Sequence, residues 1–189
     1  MENNKGKIVV ISAPSGGGKT TIIKELVKII PNSTRFVTTT TREKREGEQE
    51  AIDYFFISKE EFEKKIENDE FAEYNFHFGN YYGTEKSKLG QFTQKYDFSF
   101  LPIETNGKNN LDRLGLEHIS IFLLPESLEI LRNRIIKRGE HTAKEIVERL
   151  GKVKSEIKES EKYNFKVVNK EGHLEETIQK IVDFLENRI

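Results

Sequence analysis

Apolar positions along this 189-residue chain follow two spacings that alternate from one end to the other. Ile8-Val9-Val10-Ile11 and Ile119-Ser120-Ile121-Phe122-Leu123-Leu124 are near-continuous apolar runs, the pattern of strands buried on both faces. Helical spacing appears between them and after them. Ile22, Ile23, Leu26, Val27, Ile29 and Ile30 predict a helix from about Thr20 to Ile30, where Pro31 stops it. Pro125 is expected to open a helix carrying Leu128, Leu131 and Ile135, which ends at Arg138-Gly139. Thr142 and Glu145 form a capping box ahead of Ile146, Leu150, Val153 and Ile157, all on one helical face. Phe165 to Asn169 reads as the last strand, and Leu174, Ile178, Ile181, Val182 and Leu185 as the last helix.

The middle of the chain has a different texture. Arg35-Phe36-Val37 and the four threonines after it are β-prone and run into a charged turn over Arg42 to Glu48. Asp53 to Ile57 predicts a strand, Ser58 and Glu61 a capping box, and Phe62 and Ile66 the apolar side of a short helix. Aromatic residues crowd the stretch from Phe71 to Tyr82. Phe98 to Ile103 then restores an apolar strand, closed by the carboxylate of Glu104. Strands alternating with helices imply right-handed crossovers and a mostly parallel sheet covered on both faces, with ligands at the carboxyl ends of its strands. The expected fold is α/β, a P-loop NTPase-type sheet flanked by helices, with an inserted lobe and a short helical lid. The core is expected over 1–33, 87–136 and 151–189, the lobe over 34–86 and the lid over 137–150.

Composition narrows the partners. With 31 basic and 32 acidic residues the net charge is −1, which argues against a nucleic-acid or membrane-surface protein. The absence of cysteine excludes disulfides and thiolate metal sites. His77, His118, His141 and His173 are scattered without ligand spacing, so no protein-bound structural metal is expected. No apolar run approaches transmembrane length and the first residues lack a signal-peptide core, so a cytoplasmic location is expected. The sequence leaves the oligomeric state open.

The chemistry concentrates at Ala13-Pro14-Ser15-Gly16-Gly17-Gly18-Lys19-Thr20, between the first strand and the first helix. Glycines let successive backbone N–H groups converge on one anion, and the helix adds its free N–H groups and the positive end of its dipole. Lys19 would reach the β- and γ-phosphates, and the Thr20 hydroxyl would ligate Mg²⁺. Ala13 stands where a P-loop usually has its first glycine.

Residues suited to a second nucleotide follow. Arg42, Arg45, Tyr54 and Tyr82 can give several hydrogen bonds to the oxygens of a phosphate monoester. A buried carboxylate such as Glu73 matches the adjacent N1 and N2 donors of guanine, and Thr38 or Thr84 could donate to its O6. Adenine has no such pair of donors, so this site would discriminate strongly.

These pieces resemble the guanylate kinase family. The resemblance rests on Ala-Pro-Ser-Gly-x-Gly-Lys at 13–19, Thr-Thr-Arg-x-x-Arg-x-Gly-Glu at 40–48, Asp-Tyr-x-Phe at 53–56 and Glu-Phe-x-Glu at 70–73. It continues through Gly-Asn-Tyr-Tyr-Gly-Thr at 79–84, Arg-x-x-x-Arg-Gly at 134–139, Arg149-Leu150 and Val168-Asn169. The family often has Ala at the first P-loop position. The resemblance implies transfer of the γ-phosphate of ATP to GMP or dGMP, with Mg²⁺ bound alongside ATP. ATP would lie against Ala13, Pro14, Ser15, Gly16, Gly17, Gly18, Lys19, Thr20 and Thr21, with Asn169 near the adenine. Thr38, Glu73 and Thr84 would contact guanine, and Arg42, Arg45, Tyr54 and Tyr82 the GMP phosphate. Arg138 and Arg149 would bridge the two nucleotides, completing a catalytic set with Lys19 and Arg42. The attacking phosphate oxygen is already anionic, so no general base is needed.

One stretch departs from the family pattern. Pro102 replaces a first acid, and Glu104 is one methylene longer than the Asp that helps bind guanine, so contacts on that side are expected to be weaker. The lobe and lid should close to exclude water, with Gly83 and Gly139 absorbing backbone change. Two rivals remain open. A non-catalytic guanylate-kinase-like binding module would typically lose Lys19, and a P-loop kinase of a sugar phosphate would not need Glu73 with Thr38 and Thr84.

Overall fold

The computed structural model describes residues 6–77, 79–137 and 143–188. Nine strands and seven α-helices are found among them. In chain order they are β1 (Lys7–Ser12), α1 (Lys19–Ile29), β2 (Ser33–Arg35), β3 (Thr39–Thr40), β4 (Phe55–Phe56), α2 (Lys59–Glu67), β5 (Phe71–His77) and β6 (Asn80–Glu85). The second half adds α3 (Lys86–Lys95), β7 (Phe98–Pro102), α4 (Thr105–Arg113), β8 (Ile119–Pro125), α5 (Leu128–Lys137), α6 (Ala143–Glu159), β9 (Phe165–Asn169) and α7 (Leu174–Glu186).

A five-stranded sheet runs in the order β2-β7-β1-β8-β9, and a four-stranded sheet in the order β4-β3-β6-β5. In the first, β2 pairs with β7 and β8 with β9, both in parallel. The central strands are buried on both faces because helices cover both, which is why they read as continuous apolar runs. The chain divides into two compact units. One holds, among the described residues, the chain up to Val9, Asn32–Leu101 and Asn106–His118; the other holds Val10–Pro31, Pro102–Thr105 and the chain from Ile119 onward.

In the second unit α1 buries Ile22, Ile23 and Leu26 and packs on α7, whose Ile178, Ile181 and Leu185 are also buried. Leu131 and Ile135 of α5 meet Val153 of α6, with Ile146, Leu150 and Ile157 packed against them, as the helical spacing predicted. In the first unit the four-stranded sheet carries α2 on one face. Phe62 of α2 stacks on Phe71 at 4.2 Å between ring centroids and on Tyr81 at 5.0 Å. A Cβ on Gly83 would lie 2.8 Å from Phe71 and 2.9 Å from Phe62. Gly83 is therefore a packing requirement of this aromatic cluster.

Other local readings change as well. Pro125 ends β8 and does not open a helix; α5 starts at Leu128, where the Ser127 hydroxyl accepts from the Ile130 N–H at 3.1 Å. The strand expected from Asp53 to Ile57 shrinks to Phe55–Phe56, because Asp53 is drawn into turn contacts. Helix α4 has no strong signal, being built from Thr-Asn-Gly-Lys-Asn-Asn-Leu-Asp-Arg, and its buried residues include Lys108 and Leu111. The Ser58 cap stands, its hydroxyl accepting from the Glu61 N–H at 3.1 Å. Arg138, Gly139 and Thr142 lie outside the described residues.

Candidate functional site

The second unit presents the loop between β1 and α1. Gly18 caps α1 in the left-handed region at φ +94°, where L side chains are strained, and a Cβ there would stand 2.5 Å from Asn169 Nδ2. Gly17 is needed for space, since its Cβ would lie 2.6 Å from that of Ala13. Ala13 is buried and is not among the positive-φ residues, so this turn does not require glycine at its first position.

Distant elements hold the loop. The Asn169 side chain, at the carboxyl end of β9, donates to the Gly17 carbonyl at 2.9 Å. Arg149 of α6 donates from Nη1 to the Ser15 hydroxyl at 2.6 Å. Lys19 Nζ donates to the Ala13 carbonyl at 2.9 Å, so its ammonium curls back over the turn. Thr20 and Thr21 expose their side chains on the first turn of α1. Beside the loop a cavity of about 370 Å³, of the size that takes a small ligand, is lined by Gly16, Gly18, Thr21, Arg134, Lys137, Asn169, Lys170, Gly172 and Leu174.

Glu104 belongs to this unit as well. The Ser12 hydroxyl at the end of β1 donates to the Ile103 carbonyl at 2.8 Å, which seats Glu104 near the loop. Glu156 of α6 lies within electrostatic reach of Glu104, Lys19 and Lys152. Burial, reinforced by the Glu104 charge, pushes its carboxyl up to about 7. Glu156, Lys137 and Lys170 were not singled out in the sequence. Glu156 stands seven residues after Arg149, hence on the same side of α6, and that spacing was the available signal.

The first unit gathers the acceptor candidates by strand alternation. Antiparallel pairing sets Thr40 against Tyr82, Tyr82 against Asn75 and Glu73 against Thr84, so these side chains share one face of the four-stranded sheet. Thr38, two residues before Thr40, is buried next to this strand pair. The Thr84 hydroxyl donates to Glu73 Oε1 at 2.6 Å, and both residues are buried. A carboxylate fixed by a neighbouring hydroxyl keeps its remaining lone pairs in a defined direction.

The charged turn is organised around Glu48. Arg42 Nη2 donates to both its oxygens, at 2.7 and 2.8 Å, and the Arg45 N–H donates to Oε2 at 2.9 Å. Burial opposes the Arg42 charge, but the Glu48 hydrogen bond and charge hold its pKa above the ordinary value. Tyr54 packs edge-on to Tyr82 with centroids 6.1 Å apart, and the Arg35 and Arg42 guanidiniums each lie 5.5 Å from its ring centre. Burial raises its phenol pKa, with Arg35 pulling the other way. Of the candidates from Thr38 to Thr84, this unit brings Glu73 and Thr84 into contact, buries Thr38 just before β3, and gathers Arg42, Tyr54 and Tyr82 beside the turn in which Glu48 holds the Arg45 backbone. The candidate Arg138 lies outside the described residues.

A glycine-loop strand–turn–helix on a parallel sheet is the build of a P-loop nucleotide-binding protein. The fold alone is shared with a shikimate kinase from Bacteroides thetaiotaomicron, at a TM-score of 0.54 and 10% identity over 95% of this chain and 98% of that one. The family model described as guanylate kinase matches residues 5–188. The chain is 45% identical over 180 residues to the guanylate kinase of Clostridium tetani, covering 94% of this chain and 86% of that protein. It is 44% identical over 187 residues to that of Mycoplasmopsis pulmonis, covering 95% of each. The crystal structure of guanylate kinase from Anaplasma phagocytophilum superimposes with a TM-score of 0.78 at 32% identity, over 98% of this chain and 87% of that one. The chain belongs to the guanylate kinase family. Among the described residues, no helix is long and apolar enough to cross a membrane, and no group of three or more His, Cys, Asp or Glu could hold a metal ion.

Proposed function

We propose that this chain is an ATP:GMP phosphotransferase, moving the γ-phosphoryl group of ATP to GMP or dGMP. The observation that carries the reading is the buried Thr84–Glu73 pair, a carboxylate aimed by a hydroxyl and suited to the N1 and N2 donors of guanine. In this reading Thr38 completes the base contact, while Arg42, Arg45, Tyr54 and Tyr82 hold the acceptor phosphate. The loop from Ala13 to Thr21 holds the ATP phosphates, and the cavity beside Asn169 takes its nucleoside. Arg149 and Arg138 neutralise charge during transfer, and Glu104 supports the acceptor more weakly than an Asp. The core then spans 1–33, 87–136 and 151–189, the acceptor lobe 34–86 and the lid 137–150.

Magnesium fits this site as an ion that arrives with ATP. The chain offers it the exposed Thr20 hydroxyl, and its other ligands would be phosphate oxygens and water. Bound there, the ion supplies charge neutralisation at the transferring phosphoryl group. What remains is done by the chain: Lys19 and the backbone N–H groups orient the donor, and Glu48 holds Arg42 ready for the acceptor. A coupled assay offering ATP with GMP, AMP, UMP or a ribose phosphate tests the assignment. ADP should form fastest with GMP, and no ADP formation with GMP overturns it.

A further inference from the structure

Behind the acceptor face lies a buried charged node that serves none of the roles above. Thr84 and Glu85 are consecutive in β6, so their side chains point to opposite faces, and Thr39 opens β3 directly after Thr38. Glu85 is only 8% exposed and Thr39 only 1%. The register pairs Thr39 with Gly83, which makes Glu85 its diagonal neighbour two residues further along. Gly83 puts no side chain between them, and the Thr39 hydroxyl donates to Glu85 Oε1 at 2.6 Å.

Two lysines complete the node. Lys88 of α3 donates to Glu85 Oε1 at 2.7 Å, and Lys65 of α2 to Oε2 at 3.3 Å. Lys65 also reaches Glu70 at 2.8 Å, and the Lys88 ammonium sits 3.2 Å from the ring centre of Phe55 in β4. Burial works against the Glu85 charge, yet the bonds from Lys88 and Thr39 hold its pKa below the ordinary range. One carboxylate thus ties α2, α3, β3 and β6 together, and Lys88 extends the node to β4. Each strand residue of the node adjoins an acceptor candidate: Thr39 follows Thr38, Glu85 follows Thr84, and Phe55, under the Lys88 ammonium, follows Tyr54.

We propose that Glu85 is a positioning residue for base recognition, which through Thr39 and Lys88 sets the spacing of Thr38, Thr84 and Glu73 and thereby the preference for guanine over hypoxanthine. This rests on the guanine assignment made above. The two bases differ by the 2-amino group, one of the two donors Glu73 would accept. A strand shift of a few tenths of an ångström misaligns that second hydrogen bond first, because a bidentate contact tolerates less error than a single one. A purely structural node would instead lower stability and turnover for both acceptors alike.

Steady-state kinetics with GMP and IMP, at saturating ATP, separate these cases for Thr39→Val, Thr39→Ser and Glu85→Gln. Thr39→Val is close in shape, so it keeps the fold while removing the hydroxyl. Its KM for GMP should rise about tenfold and its GMP-over-IMP ratio of kcat/KM should fall by about fivefold, with KM for ATP unchanged. Thr39→Ser should restore both values, and Glu85→Gln should shift them in the same direction as Thr39→Val. An equal loss for GMP and IMP, or a change confined to the melting temperature, overturns the positioning role. Wild-type protein that fails to phosphorylate GMP would overturn the guanine assignment itself, and this proposal with it.

Discussion

The two halves of the proposed nucleotide site are made of different material. The proposed donor half is largely backbone: a loop of consecutive residues in which Gly18 takes φ +94° and Gly17 leaves no room for a Cβ. The acceptor half is made of side chains, gathered from residues 38 to 84 by strand alternation and a charged turn. Backbone sites bind what all triphosphates share, since N–H groups carry no sequence identity of their own. Side-chain sites can be tuned to one base edge, at the cost of needing support from behind. Glu73 needs Thr84, and Arg42 needs Glu48.

This contrast predicts that damage in one half leaves the other half's affinity intact. The largest effect is expected for Lys19→Ala, which removes the ammonium proposed to neutralise the transferring phosphate. Turnover should fall about a thousandfold, while calorimetric GMP affinity and the melting temperature stay put. A matching loss of GMP affinity would erase the separation. Next comes Glu73→Gln, which replaces an acceptor oxygen by a donor where the proposed guanine contact needs acceptors. We expect kcat/KM for GMP to drop about a hundredfold with KM for ATP unchanged, and a rise in KM for ATP would contradict it.

Gly18→Ala probes the backbone half more gently. The left-handed φ and the 2.5 Å approach to Asn169 force the loop to shift, so KM for ATP should rise about tenfold. GMP binding by calorimetry is the control, and should not respond.

The smallest effect concerns Glu156, where Glu104, Lys19 and Lys152 meet the same carboxyl. Its pKa is raised to about 7 in the folded chain, above the ordinary carboxylate value of 4.5. Folding therefore favours its protonated form, and that contribution is complete at acid pH and lost as pH rises through about 7. Glu156→Gln should remove this dependence. The variant's melting temperature should gain about 5–10 °C relative to wild type between pH 5 and pH 8. A difference that does not change with pH would show that the carboxyl titrates normally.

Legibility in the sequence followed the same division. Contiguous chemistry was readable: the glycine loop, the strand before it, the helix after it and the Ser58 cap all depend on neighbours a few residues apart. The central strands were readable too, because burial on both faces leaves an unbroken apolar run. Helix α4 was not, since its Asn and Gly residues have weak propensity and it forms in a context that buries Lys108 and Leu111. Pro125 was misread because a proline before a helix and a proline at a strand end look alike until Ser127 takes the cap.

What the sequence determined by itself was the residue inventory and its local geometry: a glycine loop between strand and helix, the Ser58 cap, and carboxylates and arginines at family spacing. Only the tertiary structure decided which of these support one another. Asn169 closes on Gly17 across 152 residues, Arg149 on Ser15 across 134, and Glu85 on Thr39 across 46. The reason is physical. A hydrogen bond between distant residues, or a pKa set by burial, depends on the positions of every element between them, and no local pattern encodes those positions.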